Sequence, residues 1–109
     1  MKTKLFLILT FVFAVLISAK EKKEIKVSGN CGMCKKKIEK SLKINEVYNA
    51  KWDQKKKVLT VAFNEKAITL DSIQQRVAAA GYDTEKFKAT DENYASLPEC
   101  CLYRDVKEH

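Results

Sequence analysis

The sequence predicts an α+β sandwich of order β-α-β-β-α-β, a four-stranded antiparallel sheet with two helices on one face. Three observations predict it. Four short stretches, near residues 24–28, 47–53, 58–64 and 82–88, alternate polar with apolar residues or concentrate β-branched and aromatic ones, as strands do. Two others, from Cys34 and from Leu70, repeat apolar residues at helical spacing. Glycines close the first strand, at Gly29, and the second helix, at Gly81.

Taken in order, Glu24-Ile-Lys-Val-Ser28 alternates as a half-buried strand should, and Gly29-Asn30 breaks it. Cys34, Ile38 and Leu42 then fall four apart on one face of a lysine-rich helix of about three turns. Val47–Asp53 and Val58–Asn64 flank Gln54-Lys-Lys-Lys57 as a hairpin, with Ala50 and Trp52 on one strand and Leu59, Val61 and Phe63 on the other facing inward. Thr69 suits the N-cap of the second helix, Leu70–Ala80, and Asp71 suits its positive dipole end. Leu70, Ile73, Val77 and Ala80 form the apolar stripe, and Gly81 is placed for a left-handed C-terminal cap. Tyr82–Lys88 supplies the last short strand. This is the split βαβ plan of ferredoxin-like domains.

The chain has 109 residues, room for one core and short appendages. Met1–Lys4 is basic, Leu5–Ile17 is a 13-residue run apolar but for Thr10, and Ser18-Ala19 is small. That is the form of a secretory signal peptide, and the run is short of the ~20 residues of a membrane span. The division expected is therefore a signal at 1–19 cut after Ala19, a domain at 20–89 and a polar tail at 90–109, with the protein periplasmic or secreted and not inserted in the membrane after cleavage. The formal charge of +7 falls by the two leader lysines to +5. The remaining lysines cluster near 20–26, 35–43 and 51–57 with acids among them, which suits a solvated face.

Four cysteines remain, as Cys31, Cys34, Cys100 and Cys101. Neither the Cys-x-x-Cys pair nor the adjacent pair closes a loop long enough to stabilise much as a disulfide, so the spacing favours metal or redox chemistry. A Cys-x-x-Cys between a strand and a helix turns both sulfurs toward one point. Two thiolates at ~2.3 Å suit Cu(I), and they also suit Hg(II) and Zn(II). Helix dipole and free N–H groups favour thiolate at Cys34, the expected helix start, and Lys35, Lys36 and Lys37 add positive charge beside it. An inert or disulfide-bonded pair and thioredoxin-type exchange use the same spacing and stay open on these residues alone.

The stretch Val27-Ser-Gly-Asn-Cys-Gly-Met-Cys-Lys-Lys-Lys-Ile-Glu-Lys-Ser-Leu42 resembles heavy-metal-associated domains, the family of copper chaperones, copper-ATPase N-terminal domains and periplasmic mercury-binding proteins. Asn49–Asp53, Val58–Asn64, Leu70–Ile73 and Gly81-Tyr82 continue the likeness across about residues 24–88. The resemblance implies that Cys31 and Cys34 hold the ion and that Tyr82 stands near it. The family's usual loop reads Gly-Met-x-Cys-x-x-Cys, its methionine plugging the core. Here Gly29-Asn-Cys-Gly-Met-Cys34 is one residue shorter before the first cysteine and carries Met33 inside the pair, free to act as a thioether ligand or to pack.

Cys100 and Cys101 lie beyond the family's domain, where they offer further sulfur ligands, a second site or a strained disulfide; Tyr94 and Tyr103 beside them suit packing the tail onto the sheet, and Leu97-Pro98 and Leu102-Tyr103 suit docking it there or beside the Cys31 loop, while His109 ends the chain. The reading is a non-enzymatic carrier of a thiophilic ion, Cu(I) first, that docks its lysine-rich rim on an acidic metal-transfer protein or transporter domain. Thiol–disulfide exchange lacks the Xaa-Pro opposite the pair, since Pro98 is in the tail. Nucleic acid is not an expected partner: RNA-recognition domains share the fold plan, but Val58–Phe63 lacks their aromatic stacking signature.

Overall fold

The computed structural model describes residues 20–104; the expected signal peptide with its cleavage after Ala19, and His109, lie outside the described residues. Strand β1 (Lys20–Lys26) leads to helix α1 (Gly32–Ser41), followed by β2 (Val47–Asp53), β3 (Val58–Asn64) and helix α2 (Leu70–Ala79). A short helix α3 (Asp91–Ala95) and a 3₁₀ turn at Glu99–Cys101 complete the described chain. The sheet has three strands, antiparallel throughout, in the order β1-β3-β2.

The alternation read from the sequence sets the packing. Leu59, Val61 and Phe63 on β3 and Trp52 on β2 turn into the core, where they meet Cys34, Ile38 and Leu42 of the first helical stretch and Ile73 and Val77 of α2. Removing each such aliphatic side chain from water contributes roughly 1.5–3 kcal/mol. Thr69 caps α2 as expected, its hydroxyl accepting from the Ser72 backbone N–H at 3.1 Å. Gly81 takes φ +110°, and a Cβ there would lie 2.8 Å from the Leu97 side chain, so glycine is required twice over.

Expectations change in several places, and the first strand runs earlier, over Lys20–Lys26. Helix α1 starts at Gly32 with Cys31 as its N-cap, φ −144° and ψ 174°, two residues before the start inferred from the apolar period. A first helical turn needs no apolar periodicity, so Gly32 and Met33 gave no signal. The fourth strand, expected over Tyr82–Lys88, contracts to a single bridge between Val27 and Thr84 among the described residues. Side chains take the backbone groups a longer ladder would use. Glu85 accepts from the Lys26 N–H, the Thr84 hydroxyl accepts from Phe87 N–H, and the buried Gln74 carbonyl accepts from both Thr84 Oγ1 and Lys86 N–H. The chain therefore turns back at 84–87.

Residues 90–104, read as a polar tail, fold against the domain. Tyr94, Leu97 and Cys101 join the main core. Tyr103 stacks on Tyr82 at 5.8 Å and meets Tyr94 edge-on at 5.1 Å, while its hydroxyl donates to the Gly81 carbonyl and accepts from Asp83 N–H. Arg104 ties the end down, reaching Asp83 Oδ1 at 2.7 Å and the Ala89 carbonyl at 2.7 Å. This strap passes beside the loop between β1 and α1.

Candidate metal centre

The loop at Gly29–Cys31 is shaped from below by Trp52. Its indole N–H donates to the Val27 carbonyl at 3.0 Å, and a Cβ on Gly29 would fall 2.9 Å from two of its ring carbons. Lys57 lies over the same ring, 5.6 Å from its centroid, and donates to the Gly29 carbonyl. With indole filling the space beneath the loop, Met33 has no core to plug. It points outward, 48% exposed.

Four sulfurs gather above this floor. Cys31 Sγ lies 3.5 Å from Cys34, 3.6 Å from Cys101 and 3.6 Å from Cys100. Cys31, Cys34 and Cys101 place their sulfurs within 4.8 Å of one another. Cys100 stands outside this triad, 4.0 Å from Cys101 and 3.8 Å from the Met33 sulfur. All four cysteines are free thiols. Bonds of ~2.3 Å from one ion space three sulfurs in a plane about 4.0 Å apart and two in line about 4.6 Å apart. The observed Cys31–Cys34 separation is closer to the triangle than to the line, so the cluster suits more than two sulfurs on a soft ion.

Burial grades the four. Cys34 and Cys101 are fully buried, Cys31 is half-buried and Cys100 is exposed. Burial raises the Cys31 thiol, but the attraction of the Cys34 backbone N–H, and then of the thiols of Cys34, Cys100 and Cys101, outweighs it and brings the group from 9.0 down to about 7. The cap position that was expected to favour thiolate at Cys34 thus acts on Cys31. Burial, with Cys34 second, pushes Cys101 well above the ordinary thiol range. Hydrogen bonding to Cys31 raises Cys100 as well.

Tyr82, implied by resemblance alone, lies under the cluster. Its ring is fully buried and its hydroxyl has no hydrogen-bond partner. Burial first, then the thiols of Cys101 and Cys34, raise the phenol far above its ordinary value. A buried donor without an acceptor, set against two thiols, fits an environment in which those sulfurs become thiolates. Lys35 is bound to Glu39 and the Trp52 carbonyl, bracing α1 against β2. Asn30, read from the sequence only as a strand breaker, accepts from Cys34 Sγ at 3.2 Å. Nothing in composition marks that role; Trp52 and Lys57 were legible only as a core residue and a turn residue.

Residues 24–83 match the heavy-metal-associated domain family, and the chain belongs to it. Among solved structures, the N-terminal domain of a potential copper-translocating P-type ATPase from Bacillus subtilis, in the Cu(I)-loaded state, is 33% identical, with a TM-score of 0.56 over 60% of this chain and 84% of that one. The CopZ metallochaperone is 23% identical, TM-score 0.56, over 59% and 98%. Oxidised MerP from Ralstonia metallidurans CH34 is 20% identical, TM-score 0.58, over 62% and 96%. The last two show the shared fold. A comparison with curated proteins gave no match. Cys100 and Cys101 lie outside the family match.

Proposed function

We propose that this protein is an exported, non-enzymatic carrier or store for a soft, thiophilic ion, Cu(I) before Hg(II) or Zn(II), held by Cys31 and Cys34 with Cys101 as third sulfur. The observation that carries this is the convergence of those three sulfurs within 4.8 Å in a heavy-metal-associated domain. Three thiolates form a soft donor set. A two-thiol redox exchange leaves the third buried sulfur and the unpartnered Tyr82 hydroxyl without a task, so the metal reading is preferred. Export rests on the Met1–Ala19 pattern, and a cut after Ala19 keeps Lys20–Lys26 whole. Lys36, Lys37 and Lys40 are exposed on α1, which begins at the sulfurs, and suit an acidic transporter domain or transfer protein as the docking partner.

The test is to recover the protein from outside the cytoplasm, confirm by N-terminal sequencing that it starts at or near Lys20, and titrate it anaerobically with Cu(I), Zn(II) and Hg(II) against chromophoric chelators. One tightly held Cu(I) per chain is expected, and Cys31→Ser and Cys34→Ser should each lower affinity at least tenfold, about 1.4 kcal/mol. Unchanged affinity in both variants sinks the assignment.

A further inference from the structure

We propose that Cys31, Cys100 and Cys101 form the exchange face of the site, where an arriving soft ion is first held before it crosses the Cys31–Cys101 edge to the buried Cys34. The inference rests on the metal-carrying reading above and adds the route. Two triangles of sulfur share that edge. The inner one is completed by Cys34, fully buried; the outer one by Cys100, exposed. The outer triangle has sides of 3.6, 3.6 and 4.0 Å, close to the ~4.0 Å that three ~2.3 Å bonds in a plane require. Each face therefore offers a complete three-sulfur set, and passage between them never strips the ion below two bonds.

Exposure sets the direction. A donor that delivers or removes an ion by ligand exchange must touch it, and Cys34 and Cys101 present no surface to water. Of the two sulfurs that distinguish the triangles, Cys34 is buried and Cys100 exposed, so the outer triangle is the one that faces an incoming donor. The exposed Met33 sulfur, 3.8 Å from Cys100, extends that face with a ligand that binds a soft ion without losing a proton. In the crossing step the Cys34 Sγ–ion bond forms and the Cys100 Sγ–ion bond breaks. The Cys34 thiol gives up a proton and the Cys100 thiolate takes one up, so the charge of the protein–ion unit is the same before and after.

The experiment uses the whole mature protein and Cu(I) as probe. Uptake from, and release to, a chromophoric Cu(I) chelator are followed by stopped flow for the parent, Cys100→Ser and Met33→Leu, and sulfur neighbours at equilibrium are counted by X-ray absorption. The proposal expects Cys100→Ser to slow both directions at least tenfold, Met33→Leu to slow them by a smaller factor, and both variants to end with three sulfurs on copper. Rates within twofold of the parent in Cys100→Ser overturn the exchange face and leave the carrier reading standing. A fall to two sulfurs in Cys100→Ser also overturns it, because Cys100 is then a holding ligand. A parent chain that takes up no Cu(I) ends the carrier reading and the exchange face together. Cys100 is exposed, so its exchange for serine leaves the fold out of the comparison.

Discussion

At the scale of single residues, the sulfur site is governed by what lies beneath it. Tyr82 carries the sharpest contrast, since its hydroxyl is buried with no partner while its ring stacks on Tyr103. An unmet buried donor costs about 1–3 kcal/mol, and deleting it without changing shape recovers part of that. Tyr82→Phe is therefore expected to raise the stability of the metal-free protein by about 1 kcal/mol in urea unfolding. The loaded protein should respond the other way: thiolates at Cys34 and Cys101 would accept from the phenol, and losing that donor weakens Cu(I) binding several-fold. A variant less stable without metal, or with unaltered affinity, removes Tyr82 from the site's electrostatics. Sequence pattern alone gave Tyr82 only a strand position, and its placement came from resemblance. The gap in the family's loop left Met33 free to ligate or to pack and did not decide its outward turn, and the indole beneath the loop belongs to a hairpin strand far along the chain.

Among the elements, the strap from Thr90 to Arg104 is the one the sequence disclosed least. Strands β2 and β3 follow from pattern, the body of α1 from its period and α2 from period and the Thr69 cap, because each signal is local. Apolar and aromatic residues about Cys100 and Cys101 mark the strap as able to dock but do not fix its path: its five-residue helix is too short for a stripe, and its anchors are pairings across long gaps in sequence, Arg104 with Asp83 and Leu97 with Gly81. The failure of the fourth strand has the same origin, for the competing acceptor, Gln74, lies on another element. Arg104 and Asp83 are only 21% and 20% exposed, so solvent screens them weakly, and Arg104 also lies 4.4 Å over the Tyr94 ring. Burial alone would raise Asp83; its bonds to Arg104 and the Ala89 N–H outweigh that and hold it below the ordinary carboxylate range. A depressed folded value means that the clasp contributes fully above the unfolded Asp pKa, ~3.9, and is lost as pH falls through the lower folded one. Bonds to charged groups contribute about 1.5–3 kcal/mol. Arg104→Ala is thus expected to speed hydrogen exchange at the Leu97 and Cys101 amides about ten- to a hundredfold at pH 7, and the same loosening should appear in the parent only well below pH 4. Equal protection in parent and variant would leave the strap held by its apolar contacts alone.

At the scale of the whole molecule, the inner triad joins Cys31 and Cys34 at the start of one helix to Cys101, seventy residues after Cys31. Only the folded chain brings the three together. An ion held there binds the native state far better than the unfolded one, so binding and stability are linked. The family match ends at residue 83, before the strap that carries Cys101 and buries Tyr94 and Leu97 in the common core. Cu(I) should therefore stabilise strap and domain as one cooperative unit. At a free concentration ~1,000 times the dissociation constant, linkage adds about 4 kcal/mol, which for a domain of this size raises Tm by roughly 15–30 °C at ~4–8 °C per kcal/mol. Cys101→Ser, if it lowers affinity tenfold, takes about 1.4 kcal/mol from that gain, so its Cu(I)-induced shift should be smaller by roughly 5–10 °C at the same free copper. Cys100→Ser, by contrast, should keep the full shift, since an exchange face affects rates and not the final holding set. Calorimetry of the three proteins in one copper buffer reads both outcomes. A Cys101→Ser shift equal to the parent's would leave the ion on Cys31 and Cys34 alone and reduce the strap to a cover over them.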